Sequence, residues 1–469
     1  MPNPILARLR RVFQRWLESE LIRRVLKNSG YLFSSTGLVS AIGMLQGILA
    51  ARLLGVAGFG ILGTITMFTN VINEFTSFRM GELVIKYVGY YTETGERQKA
   101  AAVFKASALA EIGASFLAFV LIWALSPLGA RYLAKDVQYA HWFAIYGLIV
   151  LANLISESST GLLQIFDRFR PLAVLYVAQG SFALLIILSA YIRQGGLGDI
   201  LVAYILGKTL GAVGLTVVAM LEATRRWGWG WWLTPLRLLK DNVREMLRFA
   251  ISTNISASLT LITKDSEVLW VSFLRNPVEV GYYKLALSLM SIIQLPINPL
   301  SQATYPELSR ETARRNWSNV RYLLQQGSIL AGGYTMSASL FLAILGQPLI
   351  RYVYKPEYLP AYPALLILLL GCLVSNAVYW RRLILLAFGL ADYLTKVNFV
   401  VAVLKVVGVL LLVPVFGYLG SASLLSGYYL LVSGITMHKA LTTLRTYQST
   451  AESEAALSPV SKSPAGDSG

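Results

Sequence analysis

Residues 260–271 read TLITKDSEVLWV and place Lys264, Asp265 and Glu267 inside a stretch that is otherwise apolar or small. On a helix Lys264 and Glu267 fall one turn apart on one face, with Asp265 rotated by about 100°. A charged side chain at the centre of a membrane helix costs about 2.5–3.5 kcal/mol, so such a trio must be paired or wet. Two chemistries follow. Lys264 can hold a phosphate in a water-filled cavity while Asp265 and Glu267 tune it or carry a coupling proton or sodium ion. Alternatively, Lys264 pairs with Glu267, Asp265 bonds a neighbouring helix, and the set only fixes packing. Lys208 and Lys405 lie near the middle of other apolar runs and Lys284 in the outer part of another, and these are the further candidate anion contacts. Glu74 and Glu157 are candidate coupling or gating acids, with Glu111 a lesser one, while Lys105 lies close enough to a helix end to snorkel.

The elements that must position these charges are membrane helices. The chain is 55% hydrophobic and 14% charged over 469 residues, where a soluble domain carries about 25% charged residues. Apolar runs of about 20 residues recur, long enough to cross a hydrocarbon core of about 30 Å. They are continuous, without the alternation of barrel strands, so the fold class is an all-α integral membrane protein. Twelve spans are expected at 30–52, 58–79, 100–125, 142–165, 171–193, 199–222, 249–274, 279–303, 323–346, 361–385, 394–415 and 418–440. They group into two six-helix bundles, 30–222 and 249–440, around a central cavity. A cytoplasmic interfacial linker, 223–248, separates them.

Charge gives the orientation. Loops opposite the amino terminus hold few basic residues, namely Arg52, Arg131, Lys135, Arg193, Arg275, Arg351 and Lys355, and the remaining loops hold far more. By the positive-inside rule both termini are cytoplasmic, and the net charge of +17 reflects orientation, not nucleic-acid binding. Segment 1–29 carries Leu6, Leu9, Phe13, Trp16 and Leu17 at helical spacing among arginines, which reads as an amphipathic helix on the inner leaflet. Four tryptophans and six basic residues in 225–248 read as an interfacial belt. The Ser-, Ala- and Pro-rich tail, 441–469, is expected to be disordered.

Several chemistries are excluded. One cysteine and two histidines argue against disulfide, redox and zinc chemistry, and no cofactor is expected. Gly58 to Gly63 spell GxGxxG, yet a membrane helix precedes them where a dinucleotide fold needs a strand. These glycines are expected to let the first two helices turn and pack closely, as are Gly43/Gly47 and Gly207/Gly211. Gly207-Lys208-Thr209 lacks the leading glycine of a P-loop, so no ATPase is encoded and energy must come from a gradient or a downstream process.

A shift of 221 residues superposes the two sets of six spans, laying Leu53 on Leu274, Gly60 on Gly281 and Ile72 on Ile293. Parallel repeats place a substrate site between the halves and permit alternating access. The segments LKNSGYLFSSTGLVSAIGMLQGILAARLLGVAGFGILG (26–63) and LRNPVEVGYYKLALSLMSIIQLPINPLSQATYPELSR (274–310), with the twelve-span layout, resemble the bacterial polysaccharide flippases. These form a branch of the multidrug/oligosaccharidyl-lipid/polysaccharide exporter superfamily. The resemblance implies a non-enzymatic flippase of the bacterial plasma (inner) membrane. Its substrate would be a polyprenyl-pyrophosphate-linked oligosaccharide, and its partners membrane lipids and a glycan polymerase and glycosyltransferases. The rivals are a multidrug/cation antiporter of the same superfamily and a membrane glycan polymerase or ligase. The latter ordinarily needs a large outer loop with catalytic acids or histidine, and the longest outer loop here, 126–141, holds Asp136 as its one carboxylate.

Overall fold

The computed structural model describes residues 20–153, 155–261 and 266–457, and the described residues form helices with no strand. In chain order the helices are α1 Glu20–Thr76, α2 Met80–Glu93, α3 Arg97–Gly129, α4 Ala140–Asn153, α5 Ser156–Ile165, α6 Phe169–Ile192 and α7 Leu197–Trp227. They continue with α8 Val243–Thr260, α9 Glu267–Leu274, α10 Pro277–Gln294, α11 Ile297–Ala313, α12 Trp317–Leu349, α13 Ala361–Ala377, α14 Trp380–Ala387 and α15 Ala391–Leu457. Eight helical stretches are long and apolar enough to cross a bilayer, or nine if the bent pair α10 and α11 is one span. Two of the eight, Thr36–Glu93 and Ala391–Thr450, are 58 and 60 residues long, and each is kinked at a glycine of positive φ, Gly55 at 68° and Gly417 at 60°. An L-residue with a side chain rarely adopts that backbone, which is why glycine stands at both kinks.

The repeat read from the sequence recurs in the element order. Helix α3 and helix α12 are each 33 residues long, each holds a proline near its end (Pro127, Pro348), and each runs into a five-residue π-helical turn, Ala130–Ala134 and Ile350–Tyr354. A short 3₁₀ turn then precedes α4 in one half and α13 in the other. The Gly55 kink corresponds to the turn at Arg275 and Asn276 between α9 and α10.

The halves meet at the end of the molecule that carries Gly55. There α1 crosses α10, and a methyl group on Gly60 would strike the Pro277 carbonyl while one on Gly281 would strike that of Val56. Two backbones thus touch directly, a contact open only to glycine. Around the crossing, the Thr64 and Ser272 hydroxyls share a hydrogen bond of 2.7 Å, Tyr358 donates to the Ala51 carbonyl at 2.9 Å and Lys135 donates to the Phe273 carbonyl at 2.7 Å. At the opposite end α8 leans on the first half: Tyr87 donates to Glu245 at 2.9 Å, and the Lys86 ammonium lies over the Tyr87 and Phe249 rings.

Three expectations change. The glycines of the GxGxxG segment pack mainly against α10 of the other half, whereas Gly43 and Gly47 face open space. Three expected spans are broken helices among the described residues: 142–165 at 155, 279–303 at 295–296 and 361–385 at 378–379, while 58–79 ends at 77–79, directly before α2. Within the linker, whose expected role is unaffected, Trp227 and Trp231 pack on Phe104 at 6.0 and 5.4 Å between ring centroids while Trp229 is 87% exposed. The tail is helical to Leu457, because Leu444 is buried and Tyr447 stacks on Trp317 at 5.6 Å. Residues 1–19, including Leu6, Leu9, Phe13, Trp16 and Leu17, lie outside the described residues, as do 458–469 of the tail.

The crossing gives a direct test. Gly60→Val and Gly281→Val should each lower the thermal midpoint of the purified protein in detergent, at a cost of about 1–3 kcal/mol from overpacking, while Gly47→Ala leaves it unchanged. Wild-type stability in both valine variants would show that the backbones are not in contact.

Candidate functional site

A broken helix in a bilayer frees backbone groups that lipid cannot satisfy, so each break needs internal partners. The break between α4 and α5 finds one in Glu111, buried on α3. Its carboxylate accepts from the Glu157 amide at 2.8 Å, the Ser158 amide at 3.0 Å and the Ser158 hydroxyl at 2.7 Å. A carboxyl group thus caps the amino-terminal end of α5, accepting from amides that have no partner inside the helix. The break between α13 and α14 is satisfied in the opposite sense: Arg381 donates to the carbonyls of Ser375 and Val378 at 2.9 and 3.2 Å.

The break after α1 is the neighbour of the α4/α5 break. Ser77 donates to Glu157 at 2.9 Å, and the Ser77 carbonyl accepts from Asn254 of α8. Arg79 follows in a left-handed conformation (φ 50°, ψ 51°), uncommon for a residue with a side chain. It forms ion pairs with Glu74 at 3.7 Å and Glu82 at 3.1 Å. Both breaks open onto a cavity of about 430 Å³ whose walls carry Glu74, Arg79, Glu82, Glu157, Tyr176 and Lys208.

Lys208 is the distinctive group of this cavity. It projects from α7 into the cavity beside Glu157, and among the described residues it forms no ion pair. Across the cavity the hydroxyls of Thr160 and Tyr176 lie 3.3 Å apart, and Gln164 adds an amide. An ammonium with hydroxyl and amide donors is a site for an oxyanion, and Glu157 beside it is a group that a proton or cation can neutralise.

The structure therefore brings together Lys208, Glu157 and Glu74, and places Lys284, Lys405 and Glu267 elsewhere. Lys405 is not a solvated cation: it is buried at 5% exposure on α15 and paired with Glu267. Glu267 in turn accepts from Tyr283 and Ser421, each at 2.8 Å. Glu267 thus pairs with Lys405 among the described residues. Lys264 and Asp265 themselves lie outside the described residues. Lys284 of α10 is half-buried at the contact between halves, its ammonium 4.3 Å from the centroid of the Phe59 ring. Lys105 reaches the Thr234 carbonyl of the linker at 3.2 Å.

Sequence reasoning missed Arg79 and Arg381 and underweighted Glu111. A signal existed for Arg381, since Trp380-Arg381-Arg382 interrupts an expected apolar span. Glu111 gave none, because its role depends on a helix break 46 residues away.

With eight or nine stretches fit to cross a bilayer, the chain is a multi-pass membrane protein, and its fold is shared by solved transporter structures. The chain is similar to the structure described as lipid II flippase MurJ in an inward closed conformation (TM-score 0.68, 14% identity, 87% of each chain covered). It is likewise similar to an inward-facing multidrug resistance MATE family transporter (TM-score 0.66, 12% identity, covering 88% of this chain and 96% of that one). In sequence it is 25% identical to inner membrane protein YghQ of Escherichia coli (strain K12) over 356 residues, 74% of this chain and 97% of that protein. The family model described as polysaccharide biosynthesis protein matches residues 25–311, and the chain belongs to that family.

The buried pair yields a prediction. Lys405→Met alone should destabilise the protein by about 3–5 kcal/mol, because it strands the Glu267 charge, whereas the double variant with Glu267→Leu should recover much of the loss. Thermal unfolding of the four purified proteins measures this, and equal losses in the single and double variants would contradict the pairing.

Proposed function

We propose that the chain is a flippase that carries a polyprenyl-pyrophosphate-linked oligosaccharide across the bacterial inner membrane by alternating access. Support for twelve spans comes from the two double-length stretches kinked at Gly55 and Gly417 and from the matching element order of the halves. The amino-terminal positive charge bias puts the Gly55 end outside and both termini in the cytoplasm. Polyprenyl and sugar would occupy lipid and the wet interior respectively, and the halves would part first at one end and then at the other.

The observation that carries the reading is Lys208 in its cavity without an ion pair among the described residues, while Lys405 is neutralised. With Arg79 engaged by Glu74 and Glu82, Lys208 faces Glu157 in the cavity, and a proton or cation that neutralises Glu157 would leave the ammonium to a phosphate-bearing substrate. Lys284, between the halves, is the second cation proposed to meet it. Glu157 is proposed to couple transport to a proton or sodium gradient, with Glu74 paired to Arg79 as a gating group. A non-enzymatic role agrees with the engagement of Glu111 and Glu267 in capping and pairing. Glycosyltransferases that build the lipid-linked glycan and a polymerase that extends it are the proposed neighbours in the pathway.

The carboxylate side of the same cavity favours a second reading, a cation-coupled multidrug antiporter. Proteoliposomes separate the two. Lys208→Ala should slow the change of leaflet of a labelled polyprenyl-pyrophosphate oligosaccharide by about tenfold or more, the worth of a charge-assisted contact, and should spare efflux of a cationic dye. Loss of dye efflux with Glu157→Gln, and no movement of the labelled lipid under any gradient, would establish the antiporter instead.

A further inference from the structure

In the second half, α12 and α15 run antiparallel and leave a groove of about 600 Å³ between them. One end is polar: Arg321 and Gln325 of α12 face Arg445 and Gln448 of α15, and Arg321 donates to the Gln448 side chain at 2.6 Å. The other end is apolar, with Ile329 and Leu441 on its walls, and Trp380 of α14 closes it by donating to Ser328 at 2.6 Å. From residue 321 to 329 a helix rises about 12 Å, so charge gives way to hydrocarbon along the groove over the depth at which a phospholipid does the same. Among the described residues that line it there is no Asp or Glu, in contrast to the cavity around Lys208. The two guanidinium groups therefore face an opening without a counter-charge among the described residues of its walls, and guanidinium forks match phosphate oxygens.

We propose that this groove binds a membrane phospholipid with an anionic headgroup. Arg321 and Arg445 take the phosphate, and an acyl chain lies along Leu324, Ile329, Leu441 and Leu444. The groove opens at the end away from Gly55, which the orientation proposed above assigns to the cytoplasmic leaflet, where basic pockets between helices meet anionic lipid. Binding itself does not depend on that orientation, nor on the transported substrate, so its failure and theirs are distinguishable.

The test uses full-length protein stripped of lipid in neutral detergent. It is titrated with phosphatidylglycerol, phosphatidylcholine, undecaprenyl phosphate or inorganic phosphate, and bound species are counted by native mass spectrometry. Phosphatidylglycerol should bind in preference to the other three. R321Q or R445Q should weaken it about fivefold and the double variant about 25-fold, and R321K with R445K should retain it. I329D, which leaves both arginines in place, should weaken phosphatidylglycerol as well, since the floor under the acyl chain becomes polar. Unchanged binding in the double glutamine variant overturns the proposal. So do binding of inorganic phosphate as tight as that of the lipid, which marks a free-anion site, and a preference for undecaprenyl phosphate, which marks a substrate site.

Discussion

At Gly60 and Gly281 two backbones lie against each other with no side chain between them, and the arrangement of the halves depends on that contact. Close approach gives dense packing over a small area, which is what holds helices together where lipid supplies no hydrophobic drive. It also places the surrounding polar groups. The Thr64–Ser272, Tyr358–Ala51 and Lys135–Phe273 hydrogen bonds all cross between halves near this point, and Lys284 comes to lie over Phe59. The two glycines occupy equivalent positions in the repeat, so each half presents the same device to the other.

A bilayer also fixes where charge can stand. Helix breaks occur at matching places in the halves, between α4 and α5 and between α13 and α14, yet one is satisfied by an acceptor and the other by a donor. Glu111 answers free amides and Arg381 answers free carbonyls, each suited to the helix end it faces. The second half buries its Lys405–Glu267 pair, whereas the first keeps Lys208 open to a cavity. Among the described residues, a common scaffold thus carries a buried, paired lysine in one half and a lysine lining a charged cavity in the other.

Much of this was legible in the amino-acid sequence. Hydropathy alone supports the helical membrane class, and the shift of 221 residues laid Gly60 on Gly281 before their contact was seen. Lys208, Glu157 and Glu74 stand out as charges in apolar runs, and they converge. What was not legible depends on tertiary geometry. The breaks occur without consistent Gly or Pro: Pro296 marks the one between α10 and α11, but Ser77-Phe78-Arg79 carries no such residue. Partner choice is equally hidden, since Glu267 has lysines at several plausible distances along the chain and only folding selects Lys405, 138 residues on. Gly43 and Gly47 show the limit of motif reasoning, because spacing suited to packing says nothing about whether a helix lies opposite.

Alternating access requires that the halves separate at the crossing during each cycle, and this is the central claim. Thr64 and Ser272 touch across it through their hydroxyls, so a Thr64→Cys, Ser272→Cys pair on a Cys372→Ala background can join the halves. The measurement is movement of labelled polyprenyl-pyrophosphate oligosaccharide in proteoliposomes, before oxidation, after it, and after reduction. The account predicts that the cross-link stops transport and that reduction restores it. Transport at an undiminished rate with the cross-link fully formed would contradict it.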